Sequence, residues 1–175
     1  MPTCSDHGVV TGPAEHDEVD AVVAAWRRER PDLDVTPMEV LSRITRLAHQ
    51  LDRRRSAAFS AHGLESWEFD VLAALRRAGP PYQLSPGRLL HETLVTSGTM
   101  TNRVDRLAAR GWVTREDHPG DRRGVLVRLT TEGRTAVDSA LTDLLQAERS
   151  MLDGLDTAVQ AQLIAALRVL LATRP

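Results

Sequence analysis

The chain has 175 residues, with 22 basic and 24 acidic side chains giving a formal net charge of −2, and one cysteine. That length suits one domain of ordinary size, or a small domain carrying long helices. A lone Cys4 excludes an intramolecular disulfide and a cysteine-rich zinc site, and no run of 18 apolar residues offers a membrane helix.

Residues 1–16 mix Thr, Ser, Gly and Pro without periodicity, which predicts a disordered tail. The N-terminus is acidic and broken by Gly and Pro, so it does not resemble a signal peptide, and a cytoplasmic chain is expected. From Asp17 to Arg30, Val19, Val22, Val23 and Trp26 follow i, i+3, i+4, i+7 and predict a short amphipathic helix ended by Pro31. Thr36-Pro37-Met38-Glu39 has the pattern of a capping box with proline in the first turn. It starts a long helix whose stripe is Leu41, Ile44, Ala48, Leu51 and Ala58, closed by Gly63. A third helix, Ser66 to Ala78, carries Phe69, Leu72, Ala73 and Leu75 and stops at Gly79, Pro80 and Pro81. Tyr82 to Leu84 is a short extended piece, and Ser85-Pro86 caps a fourth helix bearing Leu89, Leu90 and Leu94.

A turn at Val95 and Thr96 leads into a fifth helix, for which Ser97 is the N-cap candidate. Met100, Val104, Leu107 and Ala108 give it one apolar stripe, while Thr99, Thr101, Asn102, Arg103 and Arg106 occupy its other faces. Gly111 ends it. Trp112 to Arg115 and the alternating Val125, Val127 and Leu129 then form two strands, joined across Pro119 and Gly120 with a charged tip of Asp121, Arg122 and Arg123. Thr130 or Thr131 caps a long helix with Val137, Leu141, Leu144 and Met151, and beyond Gly154, Asp156 caps a last helix with Val159, Leu163, Ile164, Leu167, Leu170 and Leu171.

A helix that buries one stripe and offers short polar residues plus arginine at its N-terminal end is shaped to enter a DNA major groove. Charge follows the same segment. Residues 97–134 hold eight arginines against five acids, a local +3 in a chain of −2. Thr99, Thr101, Asn102 and Arg103 are the candidate base readers, with Ser97 and Gly98 near phosphates at the helix N-terminus. Arg106 stands as a further DNA contact, or as a structural partner of Asp105 or Asp121. Arg103 is expected to read a guanine and Arg122 to contact phosphate whatever the sequence.

Taken together, Ser97-Gly-Thr-Met-Thr-Asn-Arg103, Arg110-Gly-Trp-Val-Thr-Arg115, Asp121-Arg-Arg123 and Leu129-Thr-Thr-Glu-Gly133 resemble the MarR family of winged-helix regulators. That resemblance implies a mainly α fold with a small β-hairpin wing, in which a winged helix-turn-helix is joined to a helical dimerisation region. It implies a homodimer on a palindromic operator, with Arg123 in the minor groove and Asp121 orienting it. The expected layout is N-terminal helices for dimerisation and a ligand cleft over 17–63, a DNA-binding domain over 64–130 and C-terminal dimerisation helices over 131–175. No cofactor is implied.

A branch of the family responding to urate, and a similar one responding to aconitate and related acids, resembles this chain further. Trp26, Asp70, Arg77 and Arg115 stand where that branch has its ligand residues, and the run from Trp26 to Asp34 and that from Glu68 to Arg77 are especially similar to the aconitate-responsive group. An arginine fork fits a carboxylate bidentately, and an indole supplies a flat apolar wall. The expected outcome is a repressor released by a small anion. Alternatives are a regulator without a ligand, with Asp70 and Arg77 a structural ion pair and Trp26 a core anchor, or a thiol sensor through Cys4. An enzyme is disfavoured, since there is no Gly-x-Ser-x-Gly elbow, phosphate-binding loop or His pair at metal spacing.

Overall fold

A computed structural model describes residues 16–93, 96–118 and 121–172, with backbone alone for Ser97, His118 and residues 121–123. The chain divides into two compact units, residues 1–50 with 152–175, and residues 51–151. Cys4 and the predicted tail up to residue 15 lie outside the described residues, as do Leu94 and Val95.

In the first unit, α1 (Glu18–Glu29) begins at Asp17, whose carboxylate accepts the N–H groups of Val19 and Asp20, while Asp20 returns the bond to the Asp17 N–H. The reciprocal cap fixes the entry of the helix. Val19 and Val23 bury against Val35 and Met38, but Val22 and Trp26, predicted to share that face, are exposed. Polar ties add to this small core. Arg43 bridges Asp17 at 2.8 Å and Asp20 at 2.7 Å, and Arg27 and Arg46 reach Glu39 and Glu18. The Arg43 guanidinium holds the Asp17 carboxyl below the usual carboxylate range.

α2 spans Thr36–Ser60. Its start differs from the sequence expectation: Thr36 is already helical, and its N–H donates to Asp34 Oδ1 at 3.0 Å, so an aspartate two residues earlier takes up the first N–H of the helix. α7 (Thr157–Ala172) begins as predicted with Asp156, which accepts the Val159 N–H at 2.8 Å, and none of its residues is buried. Val40, Leu41 and Leu47 on α2 are exposed as well.

The second unit contains α3 (Ser66–Arg77), β1 (Gln83–Leu84), α4 (Pro86–Thr93), α5 (Ser97–Ala109), β2 (Val113–His118), β3 (Asp121–Leu129) and α6 (Thr131–Leu152). Its three strands form an antiparallel sheet in the order β1, β3, β2. Leu72, Leu75, Leu89, Met100, Leu107, Val127 and Val137 are fully buried in one core shared by all the helices of the unit and the sheet. α6 is tied back at the start of the hairpin, where Thr130 Oγ1 accepts the Gly133 N–H at 3.0 Å and donates to the Gly111 carbonyl at 2.8 Å. Among the described residues no single helix is long and apolar enough to cross a membrane.

Candidate nucleic-acid interface

The core decides which face of α5 is free. Met100, Val104 and Leu107 are at most 2% exposed, as the sequence stripe requires. Thr99, Asn102, Arg103 and Arg106 recur at i, i+3, i+4 and i+7 on another face of the same helix. α4 precedes α5 across a short turn, and the two pack together as a helix-turn-helix.

One expectation is corrected at the start of α5. The N-cap is Thr96, with extended backbone, and Ser97 is the first helical residue. The Thr96 side chain makes no capping bond to the helix; its hydroxyl bonds instead to the Thr99 hydroxyl at 2.9 Å. The N–H groups of an exposed helix start are suited to phosphate oxygens.

Gly98, Thr99, Asn102, Arg103 and Arg106 line one open polar groove of about 590 Å³. Thr101 is exposed on α5 but does not line it. Two residues from the start of α3 complete the groove, Glu65 and Trp67, and neither was singled out from the sequence. Arg106 donates to Glu65 Oε1 at 2.7 Å and lies 4.7 Å from the Trp67 ring centre, and Arg103 lies 5.3 Å from the same ring. The structural partner of Arg106 is thus Glu65, while Asp105 is taken by Arg115 at 2.7 Å.

Behind this face, Glu68 is a carboxylate with no solvent exposure. Arg110 donates to both its oxygens, at 2.9 and 2.8 Å, and to the Gly63 carbonyl at 2.9 Å, with its guanidinium 3.6 Å from the Trp112 ring centre. That charged clamp, with Nη1 between the two carboxylate oxygens and Nη2 on the carbonyl, joins the first turn of α3 to the end of α5.

Val113 to His118 pair with β3 as the wing, and Arg128 is held on the sheet by Glu116 at 2.9 Å and by Gln83. Asp121, Arg122 and Arg123 open β3, but their side chains lie outside what is described. The strand alternation predicted Val125, Val127 and Leu129 inside; Val127 and Leu129 are buried, whereas Val125 is exposed and Leu126 is buried.

The four ligand candidates are placed as follows. Trp26 is 46% exposed on α1. Asp70 is exposed on α3, its carboxyl pushed above the usual range by partial desolvation, with Arg103, Arg55 and Arg77 pulling the other way. Arg77 turns to Glu92 at 3.6 Å and does not pair with Asp70. Arg115 is the partner of Asp105. Among the described residues no three His, Cys, Asp or Glu side chains gather to hold a metal ion.

A helix-turn-helix followed by a two-stranded wing, with an arginine-bearing helix face left open, defines a winged-helix DNA-binding protein. Residues 62–124 match the family model described as "MarR family". The HTH-type transcriptional regulator PecS of Dickeya dadantii (strain 3937) is 40% identical over 139 residues, covering 79% of this chain and 84% of that relative. Sco3205 of Streptomyces coelicolor, a MarR family transcriptional regulator in complex with DNA, aligns with a TM-score of 0.70 at 25% identity, over 82% of this chain and 94% of that one. BpsR of Bordetella bronchiseptica, whose structure describes regulation of DNA binding by 6-hydroxynicotinic acid, aligns with a TM-score of 0.56 at 29% identity, over 73% of this chain and 98% of that one. The chain belongs to the MarR family and is a DNA-binding transcriptional regulator, not an enzyme.

Proposed function

We propose that this regulator is a repressor that binds a palindromic operator as a homodimer and is released by a small organic anion. The observation that carries the DNA half of this reading is the open face of α5, with Thr99, Asn102, Arg103 and Arg106 in one groove opposite the buried Met100, Val104 and Leu107. In this reading Gly98 and the Ser97 backbone approach phosphate, Thr101 assists, and Arg122 and Arg123 carry the wing toward the minor groove with Asp121 as orienting partner.

The anion half rests on the four residues of the urate- and aconitate-responsive branch and on the similar protein BpsR, whose DNA binding is regulated by 6-hydroxynicotinic acid. Arg77 and Arg115 supply fork donors for a carboxylate, Asp70 is the charge the anion would repel, and Trp26 is carried over by resemblance alone. Asp70 supports a link to DNA binding because Arg103 of α5 acts on its carboxyl. An anion near Arg77 that repels Asp70 would favour a shifted α3 and α5, and only a ligand that prefers that state releases the DNA.

The test is a mobility shift with DNA flanking the protein's own gene, with and without urate, citrate, aconitate and 6-hydroxynicotinate. Loss of the shifted band with one acid, and its restoration by Arg77→Ala, is expected. A shift that no acid alters would leave a regulator without a ligand.

A further inference from the structure

Glu65 is the N-cap residue of α3 and Trp67 stands in its first turn, about forty residues before the arginines they meet. Glu65 is exposed, and Trp67, half-buried, rests one side of its ring against the edge of the core. The four side chains nevertheless close into a single polar assembly. Trp67 Nε1 donates to Glu65 Oε2 at 2.6 Å, Arg106 Nη2 donates to Glu65 Oε1 at 2.7 Å, and the guanidinium groups of Arg106 and Arg103 lie 4.7 and 5.3 Å from the Trp67 ring centre. The indole N–H, with Arg106 behind it, holds the Glu65 carboxyl below the usual carboxylate range, so the assembly is charged at neutral pH.

We propose that Glu65 and Trp67 are positioning residues for DNA reading, a carboxylate and an aromatic shelf that set Arg103 and Arg106 in the conformation with which they meet base edges and phosphate. This rests on the reading of α5 as the groove-facing helix. An arginine side chain carries roughly 2 kcal/mol of rotamer entropy, and ordering it before the encounter lowers the cost of docking. A guanidinium that meets an aromatic ring through its face keeps its edge donors for bidentate contact with guanine, the role assigned to Arg103, while Arg106 commits Nη2 to Glu65. Glu65 adds a second effect. By neutralising Arg106 it withholds one positive charge from indiscriminate phosphate contact, so the pair favours specific over non-specific DNA.

The experiment takes a duplex that the wild-type protein selects from a random pool, and a scrambled duplex of equal length, and measures affinity for both across a salt series. Trp67→Leu is expected to weaken operator binding roughly fivefold to thirtyfold, the sum of two modest cation–π contacts, with little change in salt slope. Trp67→Phe, which keeps a ring, is expected to retain most of the affinity. Glu65→Gln is expected to raise affinity for the scrambled duplex and steepen the salt slope by about one. The deciding readout is a double-mutant cycle: in an Arg103→Ala, Arg106→Ala background, Trp67→Leu should cost almost nothing. Additive losses, with both arginines important, would overturn the positioning role while leaving α5 as the reading helix. Wild-type affinity in the two arginine variants would overturn both. Should Trp67→Leu fail to fold in a thermal melt, the Glu65→Gln salt slope decides, and an unchanged slope counts against the proposal.

Discussion

Glu68 has no solvent exposure yet keeps its charge paired, because Arg110 meets both carboxylate oxygens and the Glu65 N–H supplies a third bond at 2.9 Å. Arg110 itself remains 40% exposed as it crosses from α5 to α3. A buried carboxylate that loses its only cation costs several kcal/mol, while an apolar pair of similar volume is often tolerated. Arg110→Met is therefore expected to destabilise the chain by about 2–4 kcal/mol, below the full buried-pair value because the arginine touches water. Adding Glu68→Leu should recover most of that loss. Urea unfolding checks both, and a single variant within about 0.5 kcal/mol of wild type would show that Glu68 finds water or another donor. Nothing in the sequence near Glu68 announces this clamp, since its partner lies 42 residues away. The same distance hid Glu65 and Trp67, whereas the apolar stripe of α5 was legible because i, i+4 and i+7 are neighbours on a single helix.

At the scale of elements, the junction between wing and α6 explains why Leu129-Thr-Thr-Glu-Gly133 takes this form. Thr130 caps α6 through the Gly133 N–H and also grips the Gly111 and Trp112 carbonyls, which pulls the first turn of the helix against the start of β2. Gly133 is the point of closest approach. A Cβ there would stand 2.2 Å from the Trp112 carbonyl oxygen and 3.0 Å from Leu129 Cδ1, and the first of these is backbone that cannot swing aside. Gly133→Ala is expected to force α6 off the hairpin and cost about 1–3 kcal/mol, the range for overpacking a tight site. A thermal melt measures the loss, and an unchanged midpoint would mean that α6 already has room to slide. Element positions were largely legible, because caps, glycine stops and periodicity are local signals. Two were misplaced by local competition. Thr96 rather than Ser97 is the N-cap of α5, and Asp34 rather than Thr36 accepts an N–H at the start of α2, since in a run of short polar side chains the backbone path decides which residue sits at the cap. The burial of Leu126 in place of Val125 was not legible either, as alternation alone does not register both faces of a hairpin.

For the whole molecule, the relevant fact is how much apolar surface the first unit leaves uncovered. On α7, Val169 is 66% and Leu171 81% exposed, Ile164 and Leu170 are about half exposed, and Val40, Leu41 and Leu47 on α2 are similar. Patches of this kind on a single chain mark an interface, and a second copy is the occupant that the proposed palindromic operator requires. The 13 residues of α5 span roughly 20 Å, enough for one half-site, while successive major grooves on one face of the duplex lie roughly 34 Å apart. A lone subunit can therefore occupy one half-site and no more. In the proposed homodimer it would gain a second contact at high effective concentration, roughly 10²- to 10⁴-fold in affinity. Ile164→Glu with Leu167→Glu places two charges on this surface without touching the second unit's core, and the variant is expected to sediment near the 19.3 kDa of the single chain. Its operator affinity should fall by about the same 10²- to 10⁴-fold while its binding to scrambled DNA changes little. Wild-type protein that sediments as a single chain at micromolar concentration would sink the dimer reading, and α7 would then need a different partner.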